Sequence, residues 1–177
     1  TTKVVADLGL AVATDLLKIH KTNSLVGDLN DGAIMFHKGD FKTAWVDVDS
    51  WEIPKFPCIV GTQLYLCPEL YGIDLSKGRN FEQWHDWYSW SVLLFRALLR
   101  KHPFKAGIHK IYNGIIERAK HGLTVLDKGV TYPPVGLPAE LLSDDLADAL
   151  LKQLKRQARA PFDLRVLEDY RESLAAC

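Results

Sequence analysis

The run from Trp84 to Leu99 limits the architecture of this chain more than any other segment. It is apolar on almost every face, and its densest part, Trp90 to Leu99, is interrupted only by Ser91 and Arg96. A helix with no polar side is buried all round. The same stretch is too short to span a bilayer. Trp84, Trp87 and Trp90 recur every three residues, a spacing expected from core packing rather than from a ligand-stacking platform. His102-Pro103 ends the helix.

The remaining elements are simpler. Residues 3–20 carry a helical stripe through Val4, Leu8, Val12 and Leu16. Ile34–Phe36 and Ala44–Val46 are expected to pair as a hairpin around His37-Lys38-Gly39-Asp40. Residues 50–61 hold Pro54 and Pro57 and are expected to form a loop. Further helices are expected over 108–120, 143–157 and 163–175, with Ser143 and Asp163 as N-caps. Pro133 to Gly136 forms a loop. The fold class is mainly α with a small β-hairpin, in a single domain over 1–177.

Composition excludes several functions. Of 177 residues, 22 are basic and 22 acidic, so no bulk charge draws the chain to nucleic acid. Lys152, Lys155, Arg156 and Arg159 cluster on a helix and are expected to form a solvated face. The three cysteines, Cys58, Cys67 and Cys177, lie far apart and suggest neither a disulfide framework nor a zinc site. A reduced, cytoplasmic setting without a membrane is expected. Thr1-Thr2-Lys3 reads as the edge of a fragment rather than a signal peptide.

The chemistry-bearing residues sit in polar gaps at fixed intervals. Asp28 lies in Val26-Gly27-Asp28-Leu29-Asn30, and nineteen residues later comes Val46-Asp47-Val48-Asp49. Gly61-Thr62-Gln63-Leu64-Tyr65-Leu66-Cys67-Pro68-Glu69 follows. His85-Asp86-Trp87-Tyr88-Ser89 then opens the apolar helix. Either aspartate alone would be a turn former or a solvated carboxylate. The ordered set resembles the C-terminal lobe of a eukaryotic-like protein kinase of the bacterial type. The resemblance spans about residues 5 to 105 and leaves the N-terminal lobe outside this chain.

That resemblance implies roles. Asp28 corresponds to the carboxylate that orients the attacking hydroxyl and takes its proton, with Asn30 and Thr62 beside it. Asp47 corresponds to the aspartate that binds magnesium and the ATP phosphates. Asp86 would accept backbone hydrogen bonds near Val26 and Gly27. Glu69 would pair with a buried arginine, Arg159 or else Arg165. His102 is expected to pack or cap.

Four positions depart from the family pattern. Gly27 replaces an arginine that usually binds an activation-segment phosphate, which argues against that form of control. Asn30 replaces a lysine. Ala33 replaces a metal-binding asparagine. Asp49 replaces the glycine of DFG. In an extended segment Asp49 would point the same way as Asp47 and could supply the missing oxygen, or could stay a solvated carboxylate. The chain contains neither a glycine-rich phosphate loop nor a strand lysine. ATP and Mg2+ are therefore expected cofactors of a completed domain and weak or absent ones here. The expected partners are an N-lobe, or the rest of a longer chain, and a protein substrate. The alternatives are a pseudokinase scaffold and an aminoglycoside-type small-molecule phosphotransferase.

Overall fold

The computed structural model describes residues 1–40 and 42–174. Among the described residues, five α-helices, two two-stranded sheets and three short 3-10 turns make up the regular structure. Helix α1 (Thr2–Lys21) precedes the hairpin β1 (Ile34–Phe36) and β2 (Thr43–Trp45), and helix α2 (Gln83–Leu99) follows. Strand β3 (Ile108–His109), helix α3 (Ile115–Lys120), strand β4 (Val130–Thr131), helix α4 (Asp144–Leu154) and helix α5 (Leu164–Ser173) complete the order.

Helix α2 is the spine. Trp87, Trp90, Val92, Phe95, Leu98 and Leu99 are all buried. It packs on α1 and α4, and α5 closes against both of those. Gly9 lets α1 approach closely: a Cβ there would meet Leu94 Cδ1 at 2.9 Å. The bare backbone lets the Trp90 indole N–H donate to Gly9 O at 3.1 Å. Trp84 differs from the other two tryptophans. It is half-buried, and the Arg159 guanidinium lies 4.4 Å from its ring centroid, a cation–π arrangement.

The first hairpin is antiparallel, with Ile34 opposite Trp45 and Phe36 opposite Thr43. Asp15 of α1 accepts from the Thr43 hydroxyl and, at 3.2 Å, from the Trp45 indole, tying hairpin to helix. The expected helix over 108–120 is shorter. Ile108 and His109 instead pair with Thr131 and Val130, and only 115–120 is helical. The isoleucine spacing suggested a helical face, but Ile108 and Ile111 are exposed, and Asn113-Gly114 breaks the run. Helices α4 and α5 start where expected: Ser143 Oγ accepts from Leu146 N and Asp163 from Arg165 N. The expected end of the last helix, Ala175, lies outside the described residues.

The basic cluster is a solvated face only in part: Lys152 and Arg159 are exposed, while Lys155 and Arg156 are half-buried. Lys155 pairs with Asp127, Arg156 donates to the carbonyls of Ala119 and Lys120, and Arg159 reaches Glu69. Lys152 alone stays in solvent without an ion pair among the described residues. Cys58 and Cys67 are buried free thiols, pushed up to about 11 and about 12 by burial; Cys177 lies outside the described residues. No described helix is long and apolar enough to cross a membrane.

Two buried histidines fix the ends of the spine as neutral rings. His85 Nδ1 accepts from Glu82 N at 2.9 Å within a capping box. His102 Nδ1 accepts from Phe104 N and Lys105 N, while its Nε2 donates to Leu64 O at 2.7 Å. Burial brings both down to about 4 from 6.5. The unfolded chain therefore binds more protons than the folded one between these values. Stability is full above pH 6.5 and falls as the pH drops toward 4, by on the order of 1–2 kcal/mol per ring at pH 5. Urea denaturation at pH 7 and pH 5 measures this, and His102→Gln is expected to flatten the dependence while lowering stability at pH 7. Equal slopes in wild type and variant would contradict the assignment.

Candidate active-site loop

The loop that carries Asp28 is held at both flanks by its own apolar residues. Val26 and Leu29 are buried, and Asp28 between them is half-buried. Asp28 Oδ1 accepts from Thr62 N at 2.6 Å, and Oδ2 accepts from the Thr62 hydroxyl at 3.2 Å. Asn30 Nδ2 donates to Asp28 O at 3.0 Å and to Thr62 Oγ1 at 3.4 Å. Three residues separated by up to 34 positions thus form one polar cluster.

Beneath it lies a buried carboxylate. The Asp86 side chain is 0% exposed. Its Oδ2 accepts from Val26 N at 2.9 Å and from His20 Nε2 at 2.8 Å, and its Oδ1 accepts from Gly27 N at 2.8 Å. Both oxygens are satisfied, which is what lets a carboxylate remain in the interior. His20 stands at the end of α1, and its Nδ1 has no partner among the described residues. Nothing in the pattern of α1 marks it as that partner.

Gly27 has a physical reason to lack a side chain. Its φ is +71°, and a Cβ would meet Cys58 Sγ at 2.5 Å. The buried Cys58 occupies the space that any larger residue at 27 would need.

The segment after Gly61 is pinned from several sides. His102 donates to Leu64 O, and the Ser89 hydroxyl donates to Tyr65 O at 2.9 Å. Arg96 joins the Tyr65 hydroxyl and, at 2.7 Å, Asp31. Glu69 pairs with Arg159 at 2.6 Å, and Arg156 lies 3.9 Å away. This pair is not buried: the two side chains are 55% and 39% exposed. Among the described residues the fully buried arginine is Arg118, which donates there only to backbone carbonyls, those of Leu123, Ala106, Gly107 and Pro103. Arg165 pairs with its neighbour Asp163 instead of Glu69.

Asp47 follows the first hairpin directly, since Val46 N donates to Ala33 O at 3.0 Å. It is exposed, with φ +54°, and caps a 3-10 turn over Val48–Ser50. Its carboxylate makes no hydrogen bond or ion pair among the described residues. The segment 47–49 is a turn rather than an extended strand. The alternation that would aim Asp49 alongside Asp47 therefore does not apply, and Asp49 is exposed on the turn. No three His, Cys, Asp or Glu side chains among the described residues form a group that could hold a metal ion. Ala33 is a buried methyl, 4% exposed.

A second acidic group was not anticipated. Glu52 is 1% exposed, its backbone bridges Leu25, and Arg79 Nε donates to its Oε1 at 2.7 Å. Its Oε2 has no hydrogen-bond partner among the described residues. The ion pair closes the base of the loop that carries residues 53–78.

No protein-family model matches the chain, and no curated protein does. Among solved structures it is similar to the Cydia pomonella granulovirus kinase PK-1, at 15% identity and a TM-score of 0.62. The match covers 96% of this chain, which spans 58% of that kinase. At that identity the likeness establishes a kinase-like fold.

Asp86→Ala leaves the Val26 and Gly27 amides and His20 unpaired and is expected to cost about 1–3 kcal/mol. Asp144→Ala, on an exposed helix start, is expected to cost well under that; chemical denaturation ranks the two, and equal losses would contradict the network. Gly27→Ala combines a left-handed backbone with a clash against Cys58 and is expected to cost at least about 2 kcal/mol. Pairing it with Cys58→Ala should recover part of the loss in the same assay. No recovery would show that Cys58 is not what excludes a side chain.

Proposed function

We propose that this chain is the C-terminal lobe of a serine/threonine-type protein-kinase-like domain, a single unit over 1–177. Completed by an N-lobe, it transfers a phosphoryl group from ATP–Mg to a protein hydroxyl. The observation that carries this reading is the Asp28–Thr62–Asn30 cluster, mounted on a loop whose amides are held by buried Asp86. Phosphoryl transfer asks mainly for positioning and electrostatic stabilisation, and a rigid loop carrying one carboxylate answers the first need.

In that reading Asp28 orients the substrate hydroxyl and accepts its proton. Thr62 and Asn30 keep the carboxylate aimed. The exposed, unpaired carboxylate of Asp47 fits a magnesium ion delivered with the phosphates, because such ions take only one or two protein carboxylates. Magnesium would neutralise charge on the transferring phosphoryl group. Asp49 is a weaker candidate for a second ligand, given its place on the turn. The N-lobe supplies the cover over the nucleotide and the lysine for its phosphates.

One observation favours a second reading, a pseudokinase that serves as a binding scaffold: the buried methyl of Ala33 offers no oxygen to a second metal ion.

Labelled ATP with magnesium separates the readings. The 177-residue chain alone is expected to show no transfer to generic protein substrates. In a longer chain carrying an N-lobe, Asp28→Asn and Asp47→Asn are each expected to lower activity by roughly two orders of magnitude or more with folding intact. Asp49→Asn is expected to matter far less. Magnesium-dependent ATP binding that disappears in Asp47→Asn supports the enzyme. ATP binding indifferent to magnesium, with partner binding unchanged in all three variants, supports the scaffold.

A further inference from the structure

Arg96 is the only charged residue in the apolar run from Trp90 to Leu99. Its Nη1 donates to the Tyr65 hydroxyl and, at 2.7 Å, to Asp31 Oδ2. Its guanidinium carbon lies 5.8 Å from the centre of the Tyr65 ring, a cation–π distance. Tyr65 is buried, while the Arg96 and Asp31 side chains are 42% and 59% exposed. This bridge is in step with the Asp28 cluster. Asp28 meets Thr62, and three residues further along each segment Asp31 and Tyr65 meet at Arg96. Tyr65 N donates to Thr62 O at 2.8 Å. A turn closed in that way brings its ends within about 7 Å. Arg96 therefore stands at the rim of the Asp28 site, with part of its guanidinium in solvent.

The guanidinium is only partly used. Its planar fork carries donors on three nitrogens. Among the described residues only Nη1 makes a hydrogen bond. A second carboxylate can therefore bind Nε and Nη2 without displacing Asp31. Lys105 adds to the same field. It is exposed, has no ion pair among the described residues, and its backbone N donates to His102. His102 in turn donates to Leu64 O, next to Tyr65. Burial, and then the positive charges of Arg96, Lys105 and Arg118, hold the His102 ring neutral. Two exposed cations thus flank residues 62–65. Beyond Asp28, the acid that joins them, Asp31, is already paired.

We propose that Arg96, assisted by Lys105, selects protein substrates with an acidic side chain within about three residues, or roughly 10 Å, of the acceptor hydroxyl. This rests on the phosphotransfer reading, in which the acceptor sits at Asp28. Tyr65 and Asp31 hold the guanidinium in place, and its free edge accepts the substrate carboxylate. Lys105 adds attraction without a fixed geometry. A basic segment meets two like charges at the same rim and is disfavoured.

Fluorescence anisotropy of short labelled serine peptides tests this on the 177-residue chain. One peptide carries glutamates on both sides of the serine, a second glutamines and a third lysines. At low salt the glutamate peptide is expected to bind about fivefold more tightly than the glutamine peptide, the scale of an exposed ion pair, and the lysine peptide most weakly. The preference should shrink in about 1 M salt. Arg96→Glu is expected to reverse it, and Lys105→Gln to weaken the glutamate peptide by about twofold or more. Asp31→Asn removes the competing carboxylate and is expected to tighten the glutamate peptide. An Arg96 that only braced Tyr65 would give no such gain. Lys152→Gln, on α4, should stay within about twofold of wild type. If Arg96→Glu does not fold, the exposed Asp31→Asn and Lys105→Gln changes carry the test. Equal or absent binding of the glutamate and lysine peptides, or no gain in Asp31→Asn, would overturn the proposal. In a longer chain carrying an N-lobe, equal transfer to both peptides would overturn it and leave phosphotransfer standing. Glutamate-selective binding without transfer would support the Arg96 site and count against phosphotransfer.

Discussion

The Asp86 carboxylate is the contact on which the arrangement around Asp28 depends. It is fully buried and accepts from two consecutive backbone amides, Val26 and Gly27, and from His20. Three elements therefore meet at one side chain: the end of α1, the Asp28 loop and the first turn of α2. Removing a carboxylate from water is expensive, and only complete hydrogen bonding compensates. The pairing is directional, since both amides must face inward. The following residue is thereby turned outward, and Asp28 emerges half-exposed against Thr62. The backbone at Gly27 takes a left-handed φ to make this possible, and Cys58 packs into the space left by the missing side chain.

A second layer of contacts fixes what lies opposite Asp28. Residues 61–69 have little regular structure of their own, so side chains from elsewhere satisfy their carbonyls. Ser89 serves Tyr65 O, and His102 serves Leu64 O. Both donors are mounted on or just beyond α2. One helix thus supports the Asp28 loop near its start and the Thr62 segment along its length. This is why the Asp28–Thr62 contact forms between residues 34 positions apart without a sheet to align them. The Glu52–Arg79 pair closes the 53–78 loop at its base, where the Glu52 backbone pairs with that of Leu25.

Charge placement follows burial rather than sequence clustering. Lys155, Arg156 and Arg159 are neighbours in the chain, yet their nearest partners differ: Asp127, two backbone carbonyls and Glu69, which Arg156 also approaches at 3.9 Å. Arg118 is the arginine that goes inside, and among the described residues backbone carbonyls alone receive it. Desolvation holds its guanidinium below its ordinary value, with Asp127 opposing that shift. A guanidinium can be buried this way because its fork of donors reaches several carbonyls at once.

Strong local periodicity and caps were legible in the residues alone. The all-apolar α2, the stripe of α1 and the caps Ser143 and Asp163 each rest on interactions within a few positions. So did the existence of the first hairpin, to within a residue of its second strand. The order of the Asp28, Asp47, Thr62 and Asp86 motifs carried the kinase resemblance, and the kinase-like fold agrees with it. Tertiary structure decided what depends on distant partners. It split 108–120 into a strand and a short helix, because β4 offered backbone pairing that no local pattern announces. It made Val48–Ser50 a 3-10 turn capped by Asp47, so the side-chain alternation of a strand could not align Asp49 with Asp47. It placed the Glu69–Arg159 pair at the surface and buried Arg118 in its stead. His20, Cys58 and Glu52 took roles that no spacing marks. A helix reports its own hydrogen bonds in its sequence, whereas a buried charge or a missing Cβ is explained only by the residue that packs against it.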